Sequence, residues 1–243
     1  MPSQSTIYLF TDFGYDGPYV GQLFAAIRAA NQQCEIINLM HDAPAMRPDL
    51  AAYLLPAVTE ALAAPAWTVG VVDPGVGSER PAIAVRSKGR TFVGPDNGLL
   101  SRLPEIESVE RIDWRPPRIS ASFHGRDLFA PVAARLAGGE DIETSDMPVD
   151  QIVGADWDAE SARVIYVDRY GNLMTGLSAK TFTKNNKISC GGRHIVHATT
   201  FSAVPPGEVF WYENSQGLVE LAANGVSASD VLSLATGDKI LVI

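Results

Sequence analysis

Thr6-Ile-Tyr-Leu-Phe-Thr-Asp-Phe-Gly14 is an apolar run of strand length that ends on a carboxylate and a glycine. The Thr6–Phe10 run predicts a buried strand with Asp12 at its C-terminal end. Pro18 then suits a first helical turn, and Val20, Leu23, Phe24 and Ile27 recur on one helical face. The pattern repeats. Glu35–Leu39 predicts a second strand, Leu50, Tyr53, Leu54, Ala57, Val58 and Ala61 mark a helix stripe after Asp49, and Trp67–Asp73 predicts a third strand. Strands alternating with helices imply an α/β layer architecture, whose loops at strand C-termini commonly hold ligands. Asp12 and Asp73 both sit at such ends.

Ala82–Val85 and Thr91–Val93, joined through Lys88-Gly89, predict a hairpin added to that sheet. Leu128–Leu136 predicts a helix stopped by Gly138 and Gly139, with Asp127 as its cap. The segment from Glu140 to Ala159 is acidic and weakly periodic, as a connecting segment is. After it come short strand-like runs at Arg163–Val167, Lys187–Cys190, His194–Ala198, Val209–Glu213, Leu218–Leu221 and Lys239–Val242, separated by turn sequences. These predict a small β-barrel or sandwich, with one helix near Ser229–Leu234.

A hydrophobic fraction of 46% with 19% charged residues excludes a disordered chain. A formal charge of −9, without a basic run interleaved with aromatics, argues against nucleic-acid binding. No stretch is long enough to cross a bilayer, and no basic-then-apolar leader opens the chain. Cys34 and Cys190 lie far apart and outside any C-x-x-C spacing, so a reducing, cytoplasmic setting and no zinc site are expected.

Three clusters could carry chemistry. Val72-Asp-Pro-Gly-Val-Gly-Ser-Glu-Arg80 delivers an Asp into a loop with two glycines and an Arg, and reads equally as a turn with a capping Asp. Phe123-His-Gly-Arg-Asp127 sets a histidine before a helix, where a hydrogen-bonded structural role is the commoner one. Asp168-Arg-Tyr-Gly-Asn172 and Asn214-Ser-Gln-Gly217, with Glu220 beyond, are also what β-turns are made of. His194 and His197, three apart on a predicted strand, point to opposite faces and argue against a shared metal.

Taken together and in order, these segments resemble the S-adenosylmethionine (SAM) hydroxide adenosyltransferases, relatives of fluorinase and chlorinase. Five signatures carry the resemblance: Thr-Asp-Phe-Gly, Asp-Pro-Gly-Val-Gly-Ser-x-Arg, Gly-Pro-Asp-Asn-Gly at Gly94–Gly98, Phe-His-Gly-Arg-Asp-x-Phe-Ala-Pro, and Gly-Asn followed by Asn-Ser-x-Gly. The resemblance implies an α/β fold: an N-terminal α/β sandwich-type domain over residues 1–150 and a smaller C-terminal β-barrel domain over 160–243. It implies a homotrimer with sites at subunit interfaces, one subunit's N-terminal domain facing a neighbour's C-terminal domain. Asp73, Arg80 and His124 match the family's water-activating triad. Asp12 matches the carboxylate that holds the ribose hydroxyls, and Phe123 and Gly125 line the reacting end. Asp168 and Asn172 match contacts to the amino-acid or sugar portion, Ser215, Glu220 and the backbone around Ala223 fall where adenine is read, and Asn214 is implied as a further substrate-binding residue. Met46 stands where relatives often place an aromatic, and Gln216 where the halogenating relatives carry Arg.

The implied activity is hydrolysis of SAM by activated water at ribose C5′, giving adenosine and L-methionine without a cofactor or metal. Two rivals stand beside it on the same scaffold, a SAM-dependent halogenase and a non-catalytic adenosine- or SAM-binding module. A third treats Asp12, Asp42, Asp73, Asp96 and Asp127 as ligands of a metal-dependent hydrolase, for which no histidine pair at useful spacing exists.

Overall fold

The opening run forms strand β1, Thr6–Thr11, in a computed structural model that describes residues 5–182, 186–190 and 192–243. Around it lie β2 (Glu35–Met40), β3 (Trp67–Val71), β4 (Ala82–Ser87), β5 (Arg90–Pro95), β6 (Ile106–Ile112) and β7 (Thr144–Met147). They make one seven-stranded sheet in the order β2-β1-β3-β5-β4-β6-β7. β1 is parallel to both β2 and β3, and β3 to β5, while β4, β6 and β7 run antiparallel to their neighbours.

The chain leaves β1 for β2 on one side and returns as β3 on the other. Such a reversal of strand order opens a crevice beyond the strand C-termini. Asp12 follows β1 and Asp73 follows β3, so neighbouring strands deliver both carboxylates to that one end.

Helices cover both faces of the sheet. α1 (Tyr19–Ala30) and α3 (Ala130–Ala137) bury Leu23, Ile27, Val132, Ala133 and Ala134 against Ile7, Leu9, Val69 and Val71. Small residues along α3 let its backbone approach the sheet closely. α2 (Pro48–Thr59) lies over the other face, where Leu55, Leu99 and Leu100 close on Gly70. Burying a Leu of this kind is worth about 2 kcal/mol of transfer free energy, so the two layers contribute through many such contacts.

Several expectations need correction. The α2 stripe stops at Thr59, Ala61 is exposed outside the helix, and the buried positions include Ala51, Leu55 and Thr59 rather than Ala57. The helix predicted from Leu128 is preceded by a π-helical turn, Gly125–Phe129, and Asp127 does not cap it. Asp127 instead accepts from the Ser120 N–H at 2.7 Å and pairs with Arg126 at 2.6 Å. The segment read as a connector contains β7, whose polar Thr-Ser-Asp-Met sequence suits an edge strand paired on one side only. β6 carries no signal that we read from the sequence.

The chain divides into two units, Met1–Trp157 and Asp158–Ile243. The second holds β8 (Ser161–Val167), β9 (Leu173–Ser178), β10 (Ile188–Cys190), β11 (Arg193–His197), β12 (Val209–Glu213), β13 (Leu218–Ala223) and β14 (Leu241–Val242), plus the short helix α4 (Ala228–Leu232). Its sheet order is β14-β10-β11-β12-β13-β9-β8. The residues just before β14 bond across to β8, with Val164 N–H donating to Asp238 at 2.8 Å and Ile240 N–H to Ala162 at 3.0 Å. The two edges thereby meet, and the sheet is nearly a barrel around Val164, Leu173, Trp211, Val219 and Leu221. β9 escaped the sequence reading because Gly176, packed on Ser161, interrupts its apolar pattern.

Candidate active site

Two residues beyond β3 the chain turns sharply through Pro74-Gly-Val-Gly-Ser-Glu79 and comes back with Arg80 beside Asp73. Gly75 leaves the space in which the guanidinium lies, because a Cβ there would be 2.6 Å from it. Gly77, with φ +85°, passes so close to the Ala121 carbonyl that no side chain fits. Arg80 Nη2 stands 2.5 Å from Asp73 Oδ1, with the two side chains 21% and 5% exposed. The two atoms form a close ion pair, largely withdrawn from solvent.

His124 is the residue from which the π-helical turn starts, and its ring meets Phe129 edge-on at 6.5 Å. Asp73, Arg80 and His124 line one cavity of about 240 Å³ in the first unit. Burial pushes the Asp73 carboxyl above the ordinary Asp range, against the pull of Arg80, the Gly75 N–H and His124, and with the push of Asp12.

Gly94–Gly98 braces this loop from behind. Asn97 Nδ2 donates to the Val72 carbonyl at 2.8 Å, directly before Asp73, and Asp96 accepts from the Val153 N–H at 2.9 Å. The motif therefore supports the site without lining the cavity.

Asp12 accepts from the Met46 N–H at 2.9 Å, and burial pushes its carboxyl up. Met46 holds φ +58° with its side chain 71% exposed, so its backbone fixes Asp12 while its thioether is free to meet another surface. Phe123 packs with Phe13 at 5.6 Å and Tyr19 at 5.4 Å, and Gly125 lies where a Cβ would press on Phe123, Phe13 and Leu23. Phe13 and Tyr19 were not singled out from sequence, although Phe13 belongs to the Thr-Asp-Phe-Gly signature. His41 is fully buried and bonded through both ring nitrogens, to Thr11 and Asn38 at 2.7 Å each, which makes it a structural residue.

The second unit carries a larger cavity, about 710 Å³, whose wall includes Asp168, Asn172, Asn214, Ser215, Glu220 and Ala223. Tyr212, Phe201, Met174 and Tyr170 add an apolar and aromatic lining that the sequence reading missed. Glu220 is 2% exposed and accepts from Tyr212 Oη at 2.6 Å and Asn214 Nδ2 at 2.8 Å. Burial pushes its carboxyl up, opposed by Tyr212 and Asn214 and aided by the charge of Asp168. The same burial, with Glu220 beside it, pushes the Tyr212 phenol up. Asn214 Oδ1 accepts from the Gln216 and Leu218 N–H groups, so this side chain is largely spent on shaping its turn. Asp168 likewise accepts from the Tyr170 and Asn172 N–H groups and from Asn172 Nδ2, all within 2.9 Å.

Among the described residues, no group of three His, Cys, Asp or Glu has the geometry to hold a metal. Asp12, Asp96 and Asp127 are engaged separately, as given above.

Residues 7–146 match the SAM hydroxide adenosyltransferase N-terminal domain, and residues 162–241 match the C-terminal domain. The chain belongs to the SAM hydroxide adenosyltransferase family. Relatives named (R)-S-adenosyl-L-methionine hydrolase include that of Salinispora arenicola, 34% identical over 261 residues and covering 100% of this chain and 99% of the relative. The one from Thermus thermophilus is also 34% identical, over 98% of this chain and 99% of its own. Among solved structures, an uncharacterized conserved protein from Thermotoga maritima superposes with a TM-score of 0.82 at 28% identity, covering 97% of this chain and 99% of that one. A conserved hypothetical protein from Thermus thermophilus gives 0.79 at 31% identity, over 98% and 100%. This family member thus resembles those proteins over essentially its whole length.

Proposed function

We propose that the protein hydrolyses S-adenosyl-L-methionine, using Asp73, Arg80 and His124 to prepare a water for attack on ribose C5′. The observation that carries this reading is the convergence of an acid, a guanidinium and an imidazole on one cavity, the acid and the guanidinium held together as a close ion pair. The names of the full-length relatives point to the same reaction.

The sulfonium makes C5′ electrophilic and leaves as a neutral thioether, so the substrate brings its own leaving group and no separate cofactor is called for. The nucleophile is the difficulty, since free water has a pKa of roughly 15.7. Arg80 stabilises negative charge developing on the water oxygen, and His124 takes its proton during attack. Asp73 holds Arg80 in place and supplies negative charge that favours the imidazolium. Attack joins a hydroxide-like oxygen to a cationic centre, so fixed protein charges and dipoles at the reacting atoms stabilise the transition state relative to the separated, fully solvated charges. In-line placement of water, C5′ and sulfur supplies ~7 kcal/mol or more of the barrier reduction.

In this proposal Asp12 holds the ribose hydroxyls, Met46, Phe123 and Gly125 border the reacting end, and Asp168 and Asn172 receive the amino-acid or sugar portion. Asn214, Ser215, Glu220 and the Ala223 backbone form the adenine pocket, with Asn214 acting through the turn it shapes. We infer a homotrimer that brings the first unit of one subunit to the second unit of a neighbour, joining the two cavities into one site. Cys34 and Cys190, both free and buried, suit the reducing cytoplasm we propose as the setting, and the partners we propose are small molecules. Incubation with SAM, in plain and halide buffer and with or without chelator, tests the activity. The expected products are adenosine and methionine in every arm, and a 5′-halogenated nucleoside, or no product, would overturn the reading.

A further inference from the structure

The cavity holding Asp73, Arg80 and His124 runs on past side chains that attack on C5′ does not use. Its wall continues through Ser78, Glu79, Arg115 and Ile119, all exposed at the surface. One space of about 240 Å³ therefore links the buried ion pair and the imidazole to solvent. A space of that size has room for several water molecules.

The reaction generates a proton that has to leave. The O–C5′ bond forms, the C5′–S bond breaks with its electron pair kept by sulfur, and the attacking water gives up one proton. Sulfonium plus water thus becomes alcohol, thioether and H⁺. His124, once protonated, cannot serve a second water until it is reset.

The lining offers few bases for that step. Arg80 and Arg115 are permanently charged guanidiniums that cannot accept a proton. Asp73 is tied to Arg80. Ser78 is a weak base. Glu79 is the other carboxylate of the lining, and it faces solvent. We propose that Glu79 collects the proton from His124 across this cavity and delivers it to bulk water, resetting the base after each turnover. The proposal rests on the hydrolase reading above and adds the route by which its proton departs.

Glu79→Gln tests it, with adenosine formation and proton release followed together in rapid mixing with a pH indicator in weak buffer. The expected result is a first turnover as fast as in the unaltered enzyme, with proton release and all later turnovers slower by on the order of 10-fold. Added imidazole buffer should restore both, and Glu79→Asp should behave as the unaltered enzyme does. Proton release that keeps step with adenosine in Glu79→Gln, at unchanged steady-state rate, would overturn the proposal while leaving the hydrolase reading intact. Absence of adenosine from the unaltered enzyme would instead overturn that reading and the proposal with it.

Discussion

Arg80 is useful because Gly75 leaves it room. A guanidinium 2.5 Å from a nearly buried carboxylate is fixed in direction, and a preorganised charge stabilises a developing oxyanion without reorganising during the reaction. Arg80→Ala and His124→Ala should each lower kcat by on the order of 100-fold or more while adenosine binding, read by calorimetry, survives. Turnover at the unaltered rate in both variants would exclude the triad. Glu220 gives a pH-dependent prediction of a different kind. Burial raises its carboxyl, so the folded protein holds that proton more tightly than the unfolded chain does. Its ionisation therefore costs stability: the penalty is absent below the ordinary Glu value of about 4.3, grows as pH rises towards the raised folded value, and is complete above it. Glu220→Gln removes this titration. Urea midpoints taken across that pH range should show the unaltered protein losing ground to Glu220→Gln as pH rises, and a constant gap would contradict the assignment.

At the level of elements, the parts legible in the sequence were those whose physics is local. The hairpin turn is one: Lys88 and Gly89 both take positive φ, 50° and 68°, as a two-residue type I′ connection between paired strands demands. β1, β2, β3 and α1 followed from apolar period, and a helix was expected near Ser229–Leu234, where α4 starts at Ala228 from a Ser227 cap that accepts from the Asp230 N–H. Edge strand β7 and the glycine-interrupted β9 were not legible, because their stability comes from the neighbour strand rather than from their own side chains. The site divides the same way. Asp73, Arg80 and His124 stood out as residue types in loops, whereas the bracing of Val72 by Asn97 depends on a contact 25 positions apart. Gly98 belongs to that brace, with φ +96° and its open side filled by the Trp157 ring. Gly98→Ala should cost about 1–3 kcal/mol of stability and lower kcat together with it, measured by urea unfolding and by turnover. An unchanged urea midpoint would show the brace to be dispensable.

For the whole molecule, the residues assigned to the reaction divide between two cavities, one in each unit, so neither unit holds all of them. If sites form between subunits, two inactive variants should complement each other. Arg80→Ala disables the first unit and Ser215→Trp fills the cavity of the second; co-refolded in equal amounts, they should regain roughly a quarter of the unaltered activity. No recovery in mixtures shown by native mass spectrometry to be mixed trimers would place both halves of the site in one chain. The chemistry itself turns on where the oxygen of water goes. Single-turnover hydrolysis of SAM in ¹⁸O-water, with products read by mass, should put the heavy oxygen on the 5′ carbon of adenosine and none on methionine in the unaltered enzyme. Heavy oxygen on the amino acid, or adenosine carrying only the light isotope, would contradict attack by activated water at C5′.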